Sequence, residues 1–231
     1  MQIITPFQDN ILKIIGSQAD AREFYFIGGT ALSLFYLQHR KSEDLDFFTS
    51  IENLISPFSQ LLQIRFKAFG YETMIQRSFN SFAELKVTDK NGEDTLIHLA
   101  LDAPFHLEPF LESSSYPGLR ISSFADIAAN KLLALFGRAA LRDFIDVYYL
   151  IKLKKITKND LIISARKKDP GFDLYWLGVA FERIKTYHQT DYDMSLVFDS
   201  LREDEIASFF NAWRQEIVSS LKTAPRNDTN C

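Results

Sequence analysis

One stretch of this chain, Ile27 to Phe48, restricts its architecture more than any other. It reads as a short apolar strand, the pair Gly28-Gly29, a helical run from Thr30 to Gln38, a brief polar loop, and a strand from Asp44 to Thr49. That last strand opens on two aspartates two residues apart. Side chains alternate along a strand, so Asp44 and Asp46 face one way while Leu45 and Phe47 point into a core. Two carboxylates on one side repel each other and are costly without a cation between them. A hard divalent ion such as Mg²⁺ (or Mn²⁺) takes such oxygens together with those of a phosphate chain. The glycine pair lets backbone N–H groups approach that phosphate, and the following helix points its positive end at the same place.

Taken singly, an Asp-Leu-Asp is ordinarily a solvated turn and a Gly-Gly an ordinary loop. In this order, with the acids at the start of a strand, they form the layout that polymerase-β-type nucleotidyl transfer requires. There, one or two metals polarise the α-phosphate of an NTP, activate the attacking hydroxyl and shield the departing pyrophosphate. No covalent intermediate is needed, so the lack of a Ser/His/Asp or Cys/His constellation does not count against it. Arg40, just before the acids, steers phosphate or pairs with a carboxylate; His39 reads as structural.

The rest of the chain supplies a scaffold of matching type. Helical spacing runs from about Pro6 to Ala19 and from Phe58 to Phe69. Strands are predicted at Phe24–Ile27, Tyr71–Phe79, Phe82–Asp89 and Thr95–Ala103. Asn91-Gly92 signals a hairpin between the last two, since both residues tolerate positive φ. Beyond Leu119 helices take over, near Asp143–Leu153, Leu174–Tyr187 and Asp204–Lys222. Ser123 to Asp126 resembles a capping box that opens a long apolar helix, with Asp in place of Glu or Gln. The expectation is an α/β (α+β) core over residues 1–118, a helical half over 119–224, and a disordered tail over 225–231.

Gly-Gly-Thr-Ala-Leu followed by His-Arg-x-Ser-x-Asp-Leu-Asp-Phe-Phe resembles the signature of the AbiEii/AbiGii abortive-infection toxin family, a branch of the nucleotidyltransferase superfamily. The resemblance covers Gly28 to Phe48. It implies a polymerase-β-like core with a mixed sheet, Asp44 and Asp46 as metal ligands, and Gly29 and Ser42 as holders of the nucleotide phosphates. Where the wider superfamily has Gly-Ser, this chain has Gly29-Thr30, which keeps a hydroxyl.

A second similar segment is Asp126 to Lys131, then Arg138, then Arg142-Asp143 to Tyr148. The resemblance implies that Lys131 contacts the triphosphate and that Asp143 or Asp146 completes the site; Arg138 joins the nucleotide-binding candidates. In a continuous helix Lys131, Arg138, Arg142 and Asp146 would share one stripe. The competing reading is a surface i,i+4 salt bridge from Arg142 to Asp146, with Gly137 interrupting the helix. Asp126 reads as a helix cap. Superfamily enzymes often carry a third carboxylate on a neighbouring strand, and Asp102 is the candidate, with His98 on its face as a plain strand residue.

Composition narrows the partners. The net charge of −4 argues against a surface that traps nucleic acid everywhere. Lys152 to Lys168 is a local basic stretch with Asp160 as its one interior acid. It reads either as a solvated helix and loop or as an RNA-facing surface. The single cysteine, Cys231, excludes an internal disulfide framework and a cysteine zinc site. Without an apolar run of about 18 residues or a leader pattern, a cytoplasmic location is expected. The family resemblance implies a toxin with a cognate antitoxin; the motif does not state the acceptor, for which RNA, tRNA included, is the first expectation and a protein hydroxyl the second. A catalytically silent nucleotide-binding module and a phosphotransferase remain as alternatives.

Overall fold

The computed structural model describes residues 2–153 and 155–223, so the tail expected over 225–231 lies outside the described residues. The chain forms two compact units, Met1–Ile127 and Ala128 onward. The limit drawn at residue 118 falls inside a strand of the first.

Helix α1 (Pro6–Gly16) starts where the sequence says it should. Thr5 accepts the N–H of Gln8 at 3.1 Å, and Gln8 Oε1 accepts the N–H of Thr5 at 3.0 Å, with Pro6 at the first helical position. The other end of the Gln8 amide donates to the carbonyls of Ser42 and Glu43, at 3.1 and 2.9 Å. One residue therefore caps a helix and fastens the loop that leads into the aspartate strand.

Seven strands, β1 (Tyr25–Ile27), β2 (Asp44–Thr49), β3 (Glu72–Phe79), β4 (Phe82–Thr88), β5 (Asp94–Leu101), β6 (Leu111–Ser113) and β7 (Tyr116–Ile121), make one sheet in the order β3-β4-β5-β2-β1-β7-β6. It is mixed, with β2 parallel to β5 and β1 parallel to β7. Helix α2 (Gly28–Leu32), extended by a π-helical turn over Ser33–Leu37, joins β1 to β2, and α3 (Ile55–Ala68) follows β2. One sheet face is dry: Phe26, Leu45, Phe47, Leu85, Val87, Ile97 and Leu99 are buried beside Ile11, Leu12 and Ile15 of α1 and Phe58, Leu62 and Phe66 of α3. Phe24 stacks on Phe58 with centroids 4.4 Å apart. Each such ring contributes about 1.5–3 kcal/mol by leaving water, which fixes the register of the alternating strands.

Strands β6 and β7 were not foreseen. Strand β7 contains Pro117-Gly118 and still pairs with β1 through Arg120 and Ile121. The β4–β5 hairpin also differs from expectation in detail. Only Gly92 has positive φ (83°), because Asp89 gathers the N–H groups of Asn91 and Glu93, each at 2.8 Å, into a three-residue loop.

The second unit is helical. Helix α4 (Phe124–Arg138) ends in it, followed by α5 (Leu141–Lys152), α6 (Lys158–Lys168), α7 (Leu174–Phe181) with a 3-10 turn over Glu182–Thr186, α8 (Gln189–Asp193) and α9 (Glu203–Thr223). Its core is aromatic: Phe210 meets Phe144 and Phe181 at 4.9 and 5.0 Å, and Trp213 meets Phe181 at 5.1 Å. Among the described residues no helix is long and apolar enough to cross a membrane.

Candidate functional site

Along β2 burial alternates as the sequence predicts: Leu45 and Phe47 are sealed in the core while Asp44 and Asp46 sit half-exposed on the other face. Three backbone anchors fix the entry to that strand. The Thr30 hydroxyl donates to the carbonyl of Asp44, the Thr95 hydroxyl to that of Glu43 at 2.8 Å, and Gln8 to those of Ser42 and Glu43. Thr30 is fully buried, so its hydroxyl positions the aspartate strand. The hydroxyl that the sequence keeps at this position thus bonds the Asp44 carbonyl.

Neighbouring strands extend the acidic row. Asp46 lies opposite His98 of β5, and His98 lies opposite Glu84 of β4, so all three share one face. His98 Nδ1 is 2.9 Å from Asp46 Oδ1, and its Nε2 is 3.3 Å from Glu84 Oε2. The Asp46 hydrogen bond raises the imidazole pKa above its ordinary value, helped by the charges of Asp44 and Glu84 and opposed by burial. From sequence alone Glu84 has no assigned role and His98 is a plain strand residue; the register places both on the face of Asp46. Asp102, expected as the third carboxylate, lies past the end of β5, four residues or about 13 Å along the strand from His98. There its carboxylate accepts the Tyr25 hydroxyl and the N–H of Ala103. Glu84 lies one strand further out, on β4, with His98 of β5 between it and Asp46.

The two glycines have a steric reason beyond access to phosphate. Gly28 has φ +82°, and a Cβ there would stand 2.0 Å from Asp46 Oδ2. A Cβ on Gly29 would stand 2.4 Å from Arg40 Nη2 and 3.3 Å from Ser42 Oγ. The start of α2, the Asp46 carboxylate, the Arg40 guanidinium and the Ser42 hydroxyl thus converge. Arg40 is buried and donates to the carbonyl of Lys41 at 2.9 Å. His39 is buried with Nδ1 3.4 Å from Ser33 Oγ, a structural position as expected.

Among the described residues no three His, Cys, Asp or Glu side chains gather closely enough to enclose a metal unaided. Mg²⁺ keeps several waters and takes one or two carboxylates plus substrate phosphate oxygens. Asp44 and Asp46 supply hard oxygens of the right kind beside a phosphate-compatible helix start.

In the second unit the helix is not continuous. Ala139, at φ 48°, separates α4 from α5, and the stripe expected over Lys131, Arg138, Arg142 and Asp146 is replaced by a folded-back network. Gly137 stays inside α4. Lys131 Nζ is 2.7 Å from Asp146 and 4.0 Å from Asp143, and Arg138 grips Asp143 through Nε and Nη2 at 2.7 and 2.9 Å. Both acids are fully buried, and Lys131 is nearly so. Asp126 does more than cap. It accepts the N–H groups of Leu107 and Glu108 and the Ser123 hydroxyl, while Ser123 caps the helix by accepting the N–H of Asp126.

Comparison with known proteins bears on the family and the fold. The family model described as nucleotidyl transferase AbiEii toxin, type IV TA system, matches residues 10–228. The uncharacterized protein aq_aa25 of Aquifex aeolicus (strain VF5) is 30% identical over 173 residues, 72% of this chain and 76% of that protein. JHP933 from Helicobacter pylori superimposes with a TM-score of 0.56 at 21% identity, over 94% of this chain and 90% of that one. MenT4, a nucleotidyltransferase toxin from Mycobacterium tuberculosis H37Rv, does so with a TM-score of 0.53 at 18% identity, over 91% and 85%. At such identities these two structures speak for the fold alone.

Proposed function

Because this chain belongs to the AbiEii nucleotidyl transferase toxin family, we propose that it transfers NMP from an NTP to an acceptor hydroxyl in a reaction dependent on Mg²⁺ or Mn²⁺. RNA, tRNA included, is the proposed acceptor. The observation that carries the reading is the row Asp44, Asp46, His98 and Glu84 on one open sheet face, beside a glycine pair whose missing Cβ atoms leave room for Asp46 and Arg40.

Asp44 and Asp46 hold the cation, which when bound draws charge from the α-phosphate and the pyrophosphate. Gly28 and Gly29 present backbone N–H groups, and Ser42 and Arg40 present a hydroxyl and a guanidinium, to the phosphate chain. The acceptor oxygen forms a bond to the α-phosphorus as the bond to the β-phosphate oxygen breaks, and pyrophosphate leaves. Glu84 stands one strand beyond His98, where a third carboxylate orients the acceptor or takes its proton. Lys131, Arg138, Asp143 and Asp146 form the polar network of the second unit, and their role in nucleotide binding is part of the same proposal. The reaction takes place in the cytoplasm, where NTPs and RNA are available, and a cognate antitoxin restrains it.

Incubation with α- or γ-labelled NTPs, Mg²⁺ or Mn²⁺ and cellular RNA tests the reading. Label from the α position on RNA supports it. Label from the γ position on an acceptor points to a phosphotransferase, and no transfer under any condition points to a silent nucleotide-binding module. Asp44→Ala abolishes α-label transfer while leaving the fold intact; wild-type transfer by that variant removes the mechanism.

A further inference from the structure

We propose that Tyr175 and Trp176 form a stacking platform for unpaired RNA bases, flanked by cations that hold the phosphodiester backbone. Helix α7 buries Leu177, Ala180 and Phe181 on one side, and Gly178 brings it against Arg214 and Ile217 of α9. The opposite side of a packed helix is normally polar. Here it carries Tyr175 and Trp176, 59% and 58% exposed, with Val179 beside them. The two rings stand edge to face, centroids 5.2 Å apart and planes at 81°, so they offer two flat surfaces meeting at a corner. Asp173 caps the helix through the N–H of Trp176 at 3.0 Å, which holds the pair on a rigid turn rather than on a loose loop.

Charge selects the occupant. Residues 152–185 contain nine Lys or Arg against four acids, in a chain whose overall balance is −4; Lys152, Lys158 and Lys185 pair with Glu205, Glu216 and Glu182, which leaves the cations nearer α7 to set the charge. Arg166 and Lys167, both exposed, close α6 just before the loop that enters α7, and exposed Arg183 follows two turns after Trp176. Exposed aromatic rings between cations recognise single strands, because every base has a π-face and every linkage a phosphate. The choice of RNA over DNA rests on the acceptor proposed above; the surface itself does not depend on it.

Binding of a fluorescein-labelled oligouridine to the full chain, measured by anisotropy without NTP or metal, tests the proposal. The Tyr175→Ala/Trp176→Ala variant is expected to bind about tenfold more weakly or worse, with circular dichroism unchanged. Trp213 is buried, so oligouridine should quench the emission of Trp176, and the quench should vanish in Trp176→Ala. Equal affinity of variant and wild type, or no wild-type binding, overturns the proposal. So does a change of oligomeric state in the variant, which would assign the rings to a second copy of the chain. Asp44→Ala separates the two readings: it keeps oligouridine binding if this surface is real, whatever becomes of nucleotidyl transfer.

Discussion

Gly28→Ala puts the geometry of the aspartate strand to a direct test. The new methyl carbon would stand 2.0 Å from Asp46 Oδ2, and contacts under 3.0 Å do not persist, so the carboxylate must retreat by at least about 1 Å. The backbone also resists, since φ +82° costs an L-residue roughly 1–2 kcal/mol. For a chain of this size that lowers Tm by about 2–8 °C. A misplacement of about 1 Å at a reacting centre costs on the order of 100-fold in rate. Transfer of α-label is therefore expected to fall about 100-fold while most of the protein remains folded. Gly92→Ala is the matched control. It has φ +83° and nothing within 4 Å of the new methyl, so it should lose similar stability and keep full activity. Transfer by Gly28→Ala within about threefold of Gly92→Ala, against the roughly 100-fold expected, would refute the argument that Gly28 makes room for a catalytic carboxylate.

Exchanging carboxylates separates Glu84 from Asp102. Glu84→Gln is expected to reduce transfer by about 100-fold or more, and Asp102→Asn to leave it nearly unchanged, in steady-state assays of the two variants. Asp146→Asn leaves Lys131 in a buried site with one partner fewer and should cost about 3 kcal/mol in urea unfolding. An unchanged midpoint would mean that Lys131 is not held by that pair. Thr30→Val keeps the shape but strips the hydrogen bond to the Asp44 carbonyl, for a loss of about 1–3 kcal/mol by the same measurement.

How much of this was legible depends on the range of the information. The alternation that points Asp44 and Asp46 together needs two residues of one strand, and it held. The start of α1 at Pro6 is equally local. Glu84 is different, because its place depends on register across a hairpin. A two-residue turn at Asn91-Gly92 would have set Glu84 opposite Leu99, on the dry face. The three-residue loop gathered by Asp89 moves it one position, opposite His98. A slip of one residue reverses every side chain, so loop length decides whether Glu84 shares the face of Asp46. The same holds in the helical half. Gly137 drew attention as the breaker, yet the chain turns at Ala139, a residue with no local reason for positive φ. That turn brings Lys131 to Asp146 by folding the chain back on itself.

The central claim is that Asp44 and Asp46 together clasp one divalent ion over a nucleotide triphosphate. Crystals grown with Mn²⁺ and a non-hydrolysable NTP analogue would locate that ion by its anomalous scattering. The account predicts a peak between the two carboxylates, with the phosphate chain running toward Gly28 and Gly29. A peak elsewhere, or nucleotide bound with neither aspartate touching the metal, would contradict it.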